Sequence, residues 1–102
     1  MTYRVVFTPQ ANDQLLELYE WLAEIGYPTR AEDYVTSIIA FCERLGEFPE
    51  TGRGRDDIRP GMRTAGFRRR VVIAYAVTSE TVDILGVFYG GRDYDTMLRE
   101  GE

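Results

Sequence analysis

Seven arginines fall within eighteen residues: Arg53, Arg55, Arg59, Arg63 and the uninterrupted run Arg68-Arg69-Arg70. All 12 basic residues are arginine, and neither lysine nor histidine occurs. A guanidinium grips carboxylates and phosphates through a rigid fork of donors but keeps its proton at neutral pH, so it clamps anions without acting as a base. Lack of histidine removes the usual general base and the commonest metal ligand. Cys42 is the single cysteine, which excludes zinc-finger and thiol–histidine chemistry. Recognition of an acidic partner is what this residue set does best.

Other candidates have plainer readings. Asp13, Glu17, Glu20 and Glu24 recur at helical spacing and read as a solvated helix face rather than a metal site. Cys42 lies in an apolar stripe and reads as core. Trp21 flanks the stripe of its helix and is expected to pack at a helix–sheet edge. Gly90-Gly91 follows a strand but is too short a signal for a phosphate loop. Tyr94 reads as an anchor for the C-terminal turn. No metal and no cofactor is expected.

The net charge of −5 is unevenly distributed. Residues 1–50 carry three arginines against nine acids, residues 51–75 seven against two, and residues 76–102 two against six. A basic centre between acidic ends suits an acidic protein segment better than free nucleic acid. With 102 residues, 44% hydrophobic and 28% charged, the chain reads as one globular domain spanning 1–102. No apolar run approaches the roughly 18 residues that cross a bilayer, and the N-terminus lacks signal-peptide features. A lone cysteine fits a reducing compartment, so a cytoplasmic location is expected.

The elements that must position the arginines follow from periodicity. Tyr3 to Phe7 is a short β-branched and aromatic strand. Thr8-Pro9 supplies an N-cap and first-turn proline for a helix to about Ile25, with Ala11, Leu15, Leu18, Leu22 and Ile25 as its stripe and Gly26 closing it. In the second helix, Thr29-Arg30-Ala31-Glu32 fits a capping box, or Pro28 occupies the first turn. Ala31, Tyr34, Val35, Ile38, Cys42 and Leu45 form its apolar face, ended by Gly46 and Pro49. Residues 49–61 read as loop. Strands are expected at about 62–67, 69–77 and 81–89, then a helical turn from Asp93 to Leu98. The order β-α-α-β-β-β predicts an α+β fold, with an antiparallel helical hairpin on one face of a small, mainly antiparallel twisted sheet.

Strand alternation places Val71, Ile73, Tyr75 and Val77 toward the helices. Arg68 and Arg70, with Val72, Ala74 and Ala76, would then share the opposite face. The expectation is an open, shallow apolar floor with a cationic rim, suited to an acidic or amphipathic segment.

The stretches "YRVVFTPQANDQLLELYEWLAE", "AEDYVTSIIAFCERLGEFPETGR" and "RRRVVIAYAV…VDILGVFYGGRDY" resemble the RelE/ParE toxin superfamily over nearly the whole chain. "FPETGR", "DDIRPGMR" and "GGRDY" favour its ParE branch. The resemblance implies the toxin of a type II toxin–antitoxin system, a plasmid-stabilisation type of module. It would poison DNA gyrase, be neutralised in a hetero-oligomer by a ParD-type antitoxin, and meet DNA only through that antitoxin. Arg59, Arg63, Arg68, Arg70, Arg92, Tyr94, Thr96 and Met97 are the expected target or antitoxin contacts. Such a protein is an inhibitor rather than an enzyme. The enzymatic alternative is a RelE-like, ribosome-dependent mRNA endoribonuclease, with Arg63, Arg70 and Arg92 stabilising a phosphorane and Tyr94 donating a proton. The lack of lysine and histidine, bases used by some RelE-like enzymes, argues against it, as does Tyr89 where many relatives carry histidine. A third alternative is a non-toxic interaction module descended from such a toxin.

Overall fold

The computed structural model describes residues 2–90 and 94–100. Its elements are β1 (Arg4–Phe7), α1 (Pro9–Glu24), α2 (Pro28–Leu45), β2 (Arg53–Gly54), β3 (Met62–Phe67), β4 (Val71–Val77), β5 (Thr81–Tyr89) and α3 (Tyr94–Glu100). The strands form one sheet in the order β1-β5-β4-β3-β2. β1 runs parallel to β5, and the other neighbours are antiparallel. The helical hairpin covers one face, giving the α+β architecture that the periodicity predicts.

Local signals explain the hairpin. Thr8 Oγ1 accepts the Ala11 N–H at 3.2 Å, and Pro9 follows in the first turn of α1. At the far end the Tyr27 N–H reaches the Leu22 carbonyl and the Gly26 N–H reaches Ala23, a Schellman closure. That closure needs the left-handed conformation Gly26 adopts, with φ 102°. α2 starts on Pro28 after a Tyr27 cap that makes no side-chain hydrogen bond. Of the two starts the sequence allowed, the proline's fixed φ prevails over the capping box.

The layer between helices and sheet is apolar. Ile38, Cys42, Ile73, Tyr75, Val82 and Ile84 expose no surface, each large side chain contributing about 1.5–3 kcal/mol by burial. The buried Cys42 thiol is pushed up to about 12, chiefly by desolvation. The α1 stripe outruns this layer: Ala11, Leu15 and Leu18 are buried, whereas Ile25 is 49% exposed.

Two expectations about the reverse face are overturned. It is not open: Leu98 and Tyr94 of α3, with Ile58 from the preceding loop, pack on Met62, Ala74 and Phe88. The small side chain of Ala74, read as floor, is where α3 seats. Nor do Arg68 and Arg70 belong to that face. β4 begins only at Val71, and the three arginines form the β3–β4 turn. Alternation therefore does not extend back to them.

Charge fixes α3 in place. Arg55 binds Asp57 through two 2.9 Å bonds and Asp95 at 2.6 Å. Arg99 bonds Asp57 Oδ2 at 2.8 Å and also pairs with Asp95, closing a ring of alternating charges between the 55–57 segment and α3. A network of this kind holds better than isolated surface pairs. Both carboxyls lie below the ordinary carboxylate range, Asp57 mainly through Arg55 and Asp95 mainly through Arg99. Depressed carboxylates stabilise above their unfolded values and lose that contribution as pH falls through their folded ones. Amide exchange in α3 is therefore expected to accelerate as pH drops below about 4, relative to β4, after correction for intrinsic rates.

The 49–54 segment is pinned from below. Tyr75 Oη accepts the Gly52 N–H and donates to the Pro49 carbonyl, each at 2.8 Å. A Cβ at residue 52 would lie 2.6 Å from that hydroxyl, so glycine permits the approach. Tyr75→Phe strands the Gly52 N–H and is expected to lower unfolding free energy by about 1–3 kcal/mol in urea titrations.

Candidate partner-binding surface

An irregularity in β5 builds the surface. Ala74 pairs with Gly86 and Tyr75 with Ile84, so Leu85 is an extra residue in the ladder. Before it, Val82 and Ile84 face the helices; after it, Val87 and Tyr89 do, while Phe88 turns to the reverse side. Tyr89 thereby meets Trp21 of α1 (ring centroids 5.6 Å apart) and Tyr34 of α2 (6.1 Å, edge-on). The row continues from Tyr34 to Phe67 at 6.0 Å and from Phe67 to Phe41 at 5.3 Å.

This row is incompletely covered. Trp21 is 48% exposed and Tyr27 47%. Two hollows flank Tyr89. The larger, of about 720 Å³, lies between Glu17, Leu18 and Trp21 of α1 and Arg70, Val87 and Tyr89. The smaller, of about 220 Å³, lies among Leu22, Tyr27, Arg30 and Tyr34. Tyr34 Oη is buried without a hydrogen-bond partner among the described residues. Burial, then the neighbouring Tyr89, raises its pKa. Exposed aromatic side chains grouped in this way are typical of surfaces that another chain covers.

Arginines rim it. The Arg68 guanidinium sits 4.9 Å from the Phe67 ring centre and 5.9 Å from that of Tyr34, and Arg30 lies 5.5 Å from Tyr27. The Arg70 N–H donates to the Phe67 carbonyl, closing a turn whose central residues, Arg68 and Arg69, stand at φ 50° and 64°. Such a turn ordinarily calls for Asn-Gly. Two arginines are held there against local preference, at about 1–2 kcal/mol per residue. Among the described residues, Arg68, Arg69 and Arg70 form no salt bridge.

The comparisons with known proteins bear on this geometry. A family model described as the ParE toxin of type II toxin-antitoxin system, parDE, matches residues 5–94. The chain belongs to the ParE toxin family. Toxin ParE1 of Mycobacterium tuberculosis is 29% identical over 99 residues, covering 96% of this chain and all of that one. Toxin ParE3 of Caulobacter vibrioides is 31% identical over 87 residues, covering 85% and 86%. A solved structure described as the chromosomal ParDE TA system from P. aeruginosa matches the fold with TM-score 0.75 at 22% identity, covering 87% of this chain and 97% of its own.

Within this ParE fold the contact residues expected from sequence separate into groups. Arg68 and Arg70 join the aromatic row on the helix side. Arg63 donates to the Gly52 carbonyl at 2.6 Å beside β2 and acts as a strut. Arg59 and Met97 meet on the reverse side, bordering a hollow of about 220 Å³ with Leu85 and Leu98; Thr96 is exposed on α3 nearby. Tyr94 anchors α3 on Phe88, with ring centres 6.2 Å apart. Arg92 lies outside the described residues. Arg63, Arg70 and Tyr94, named for RNA cleavage, do not converge: one braces a loop, one faces α1 and one sits on the opposite side of the sheet.

Sequence reasoning placed Trp21 at a helix–sheet edge, where it is, but missed its exposed half. It missed Tyr27 and Tyr34 as surface groups too. The available signal was aromatic density at the α1–α2 junction, where Trp21, Tyr27 and Tyr34 cluster beside Gly26. Arg68→Asn with Arg69→Gly is expected to raise unfolding free energy by about 1–2 kcal/mol, measured by chemical denaturation, because the turn no longer holds bulky residues at positive φ.

Proposed function

We propose that this protein is a cytoplasmic toxin that poisons DNA gyrase and is neutralised by a ParD-type antitoxin. It performs no chemistry of its own; it binds a conformational state of gyrase and raises the barrier to religation of cleaved DNA. The observation that carries the reading is the exposed aromatic row ending in a strained, unpaired arginine tip, on a chain of the ParE family. The antitoxin covers that row, burying Trp21 and Tyr27 while acidic side chains meet Arg30, Arg68 and Arg70. Charged rims of this kind govern association rate and salt dependence more than final affinity.

Gyrase contacts lie on the other side of the sheet, at Arg59, Thr96 and Met97, with Arg92 as a further candidate. The separation of Arg63, Arg70 and Tyr94 favours this reading over ribosome-dependent RNA cleavage. DNA is reached through the antitoxin or through gyrase, since a chain of net charge −5 is poorly suited to hold duplex alone.

Purified protein added to a gyrase supercoiling reaction is expected to inhibit supercoiling and accumulate cleaved DNA. Met97→Asp should weaken inhibition at least tenfold, and Arg68→Ala should leave it within about twofold. Unaffected gyrase, or codon-linked cuts in a translation extract instead, would remove the proposal.

A further inference from the structure

The larger hollow borders a stretch of sheet that has no outer neighbour. β1 pairs with β5 only from Arg4↔Thr81 to Phe7↔Ile84, after which the chain turns away at Thr8 into α1. β5 continues to Tyr89, paired with β4 on its inner side alone. The Gly90 N–H bonds the Arg70 carbonyl at 2.9 Å, so Gly90 and Phe88 address β4. Alternation then turns the Val87 carbonyl and Tyr89 N–H outward. The Val87 N–H, also outward, is met at 2.7 Å by Gln14 Oε1, a side chain in the place of a missing strand.

We propose that the neutralising antitoxin binds here by adding an extended strand to the outer edge of β5 at Val87–Tyr89, with one of its carboxylates meeting Arg70. This rests on the antitoxin reading above and specifies its geometry. Only a strand supplies a donor to the Val87 carbonyl and an acceptor to the Tyr89 N–H as they leave water. A helix satisfies its own backbone and would bury both groups unpaired, at about 1–3 kcal/mol each.

The hollow also sets the side-chain pattern. Leu18 and Trp21 form an apolar wall, and Arg70 is a cation without a salt bridge among the described residues. Glu17 on the α1 wall disfavours a uniformly acidic occupant. The segment therefore alternates, with an apolar residue toward Trp21 and an acidic one toward Arg70. A second copy docked through the same edge would bring like charges together across a two-fold axis, Glu17 against Glu17.

The test is hydrogen exchange, read at single-amide resolution, on the free protein and on its complex with the antitoxin encoded beside it. The Tyr89 amide is expected to slow at least tenfold in the complex. The Val87 amide, already held by Gln14, should change less. Arg70→Ala should weaken the complex about tenfold and flatten its salt dependence, with unchanged circular dichroism as the folding check. A complex that leaves Tyr89 unprotected overturns strand addition while the antitoxin reading stands. Failure to form any complex removes both. Concentration-dependent protection of Tyr89 in the protein alone would assign the edge to a second copy and overturn the proposal.

Discussion

The extra residue at Leu85 decides what the C-terminal half of β5 can do. In an unbroken strand Val82, Ile84, Gly86 and Phe88 would share the helix face, and Tyr89 would point to the reverse. The bulge exchanges those assignments after Ile84. Phe88 goes under α3, where it packs with Met62, Ala74 and Leu98. Tyr89 goes to the helix side, where it links Trp21 and Tyr34. The backbone is rephased as well, which leaves the Val87 N–H outside the ladder, facing Gln14. One inserted residue thus supplies the ring at the centre of the aromatic row, the seat of the C-terminal helix and the free edge beside α1.

Much of this frame was legible in the sequence because its signals are local. Thr8-Pro9 starts α1 and Gly26 ends it as their chemistry requires, and the stripes of both helices face the sheet along most of their length. Val71, Ile73 and Tyr75 pack toward the helices as alternation demands. The failures come where tertiary context outweighs local preference. Arg68 and Arg69 carry none of the marks of a hairpin turn, being neither glycine nor asparagine, so "RRRVVIAYAV" reads as one long strand. The interior Gly86 was the single hint of a bulge. The two-residue strand β2 carries no periodicity at all; it exists because Tyr75 and Arg63 draw the 49–54 segment against β3.

The fold sorts arginines that the sequence presents as one basic stretch. Arg55 is committed to Asp57 and Asp95, and Arg63 to a backbone carbonyl. Arg99, distant in sequence, joins Arg55 in the ring that holds α3. These guanidiniums hold loops and helices together, and removing them would loosen the molecule. Arg68 instead lies over the rings of Phe67 and Tyr34, and Arg70 borders an open hollow. A local count of charge could not divide the group, because the acids that claim Arg55 come from positions 57 and 95. Asp95 lies on an element whose docking depends on the bulge.

The placement of the uncommitted arginines gives a net-negative molecule a direction. Nine of the seventeen acids lie in residues 1–50, and on α1 Asp13, Glu17, Glu20 and Glu24 are exposed. An acidic segment approaching at random is repelled over that side and attracted at the β3–β4 tip, within a Debye length of about 8–10 Å. The tip stands at the end of the aromatic row, next to the unpaired part of β5. Charge there orients an incoming chain before any apolar contact forms, and the rings and strand edge then supply short-range holding energy that salt does not screen. Strain at Arg68 and Arg69 is consistent with this order of events: glycine or asparagine would fold the turn more easily, but neither would place a cation where the approach begins.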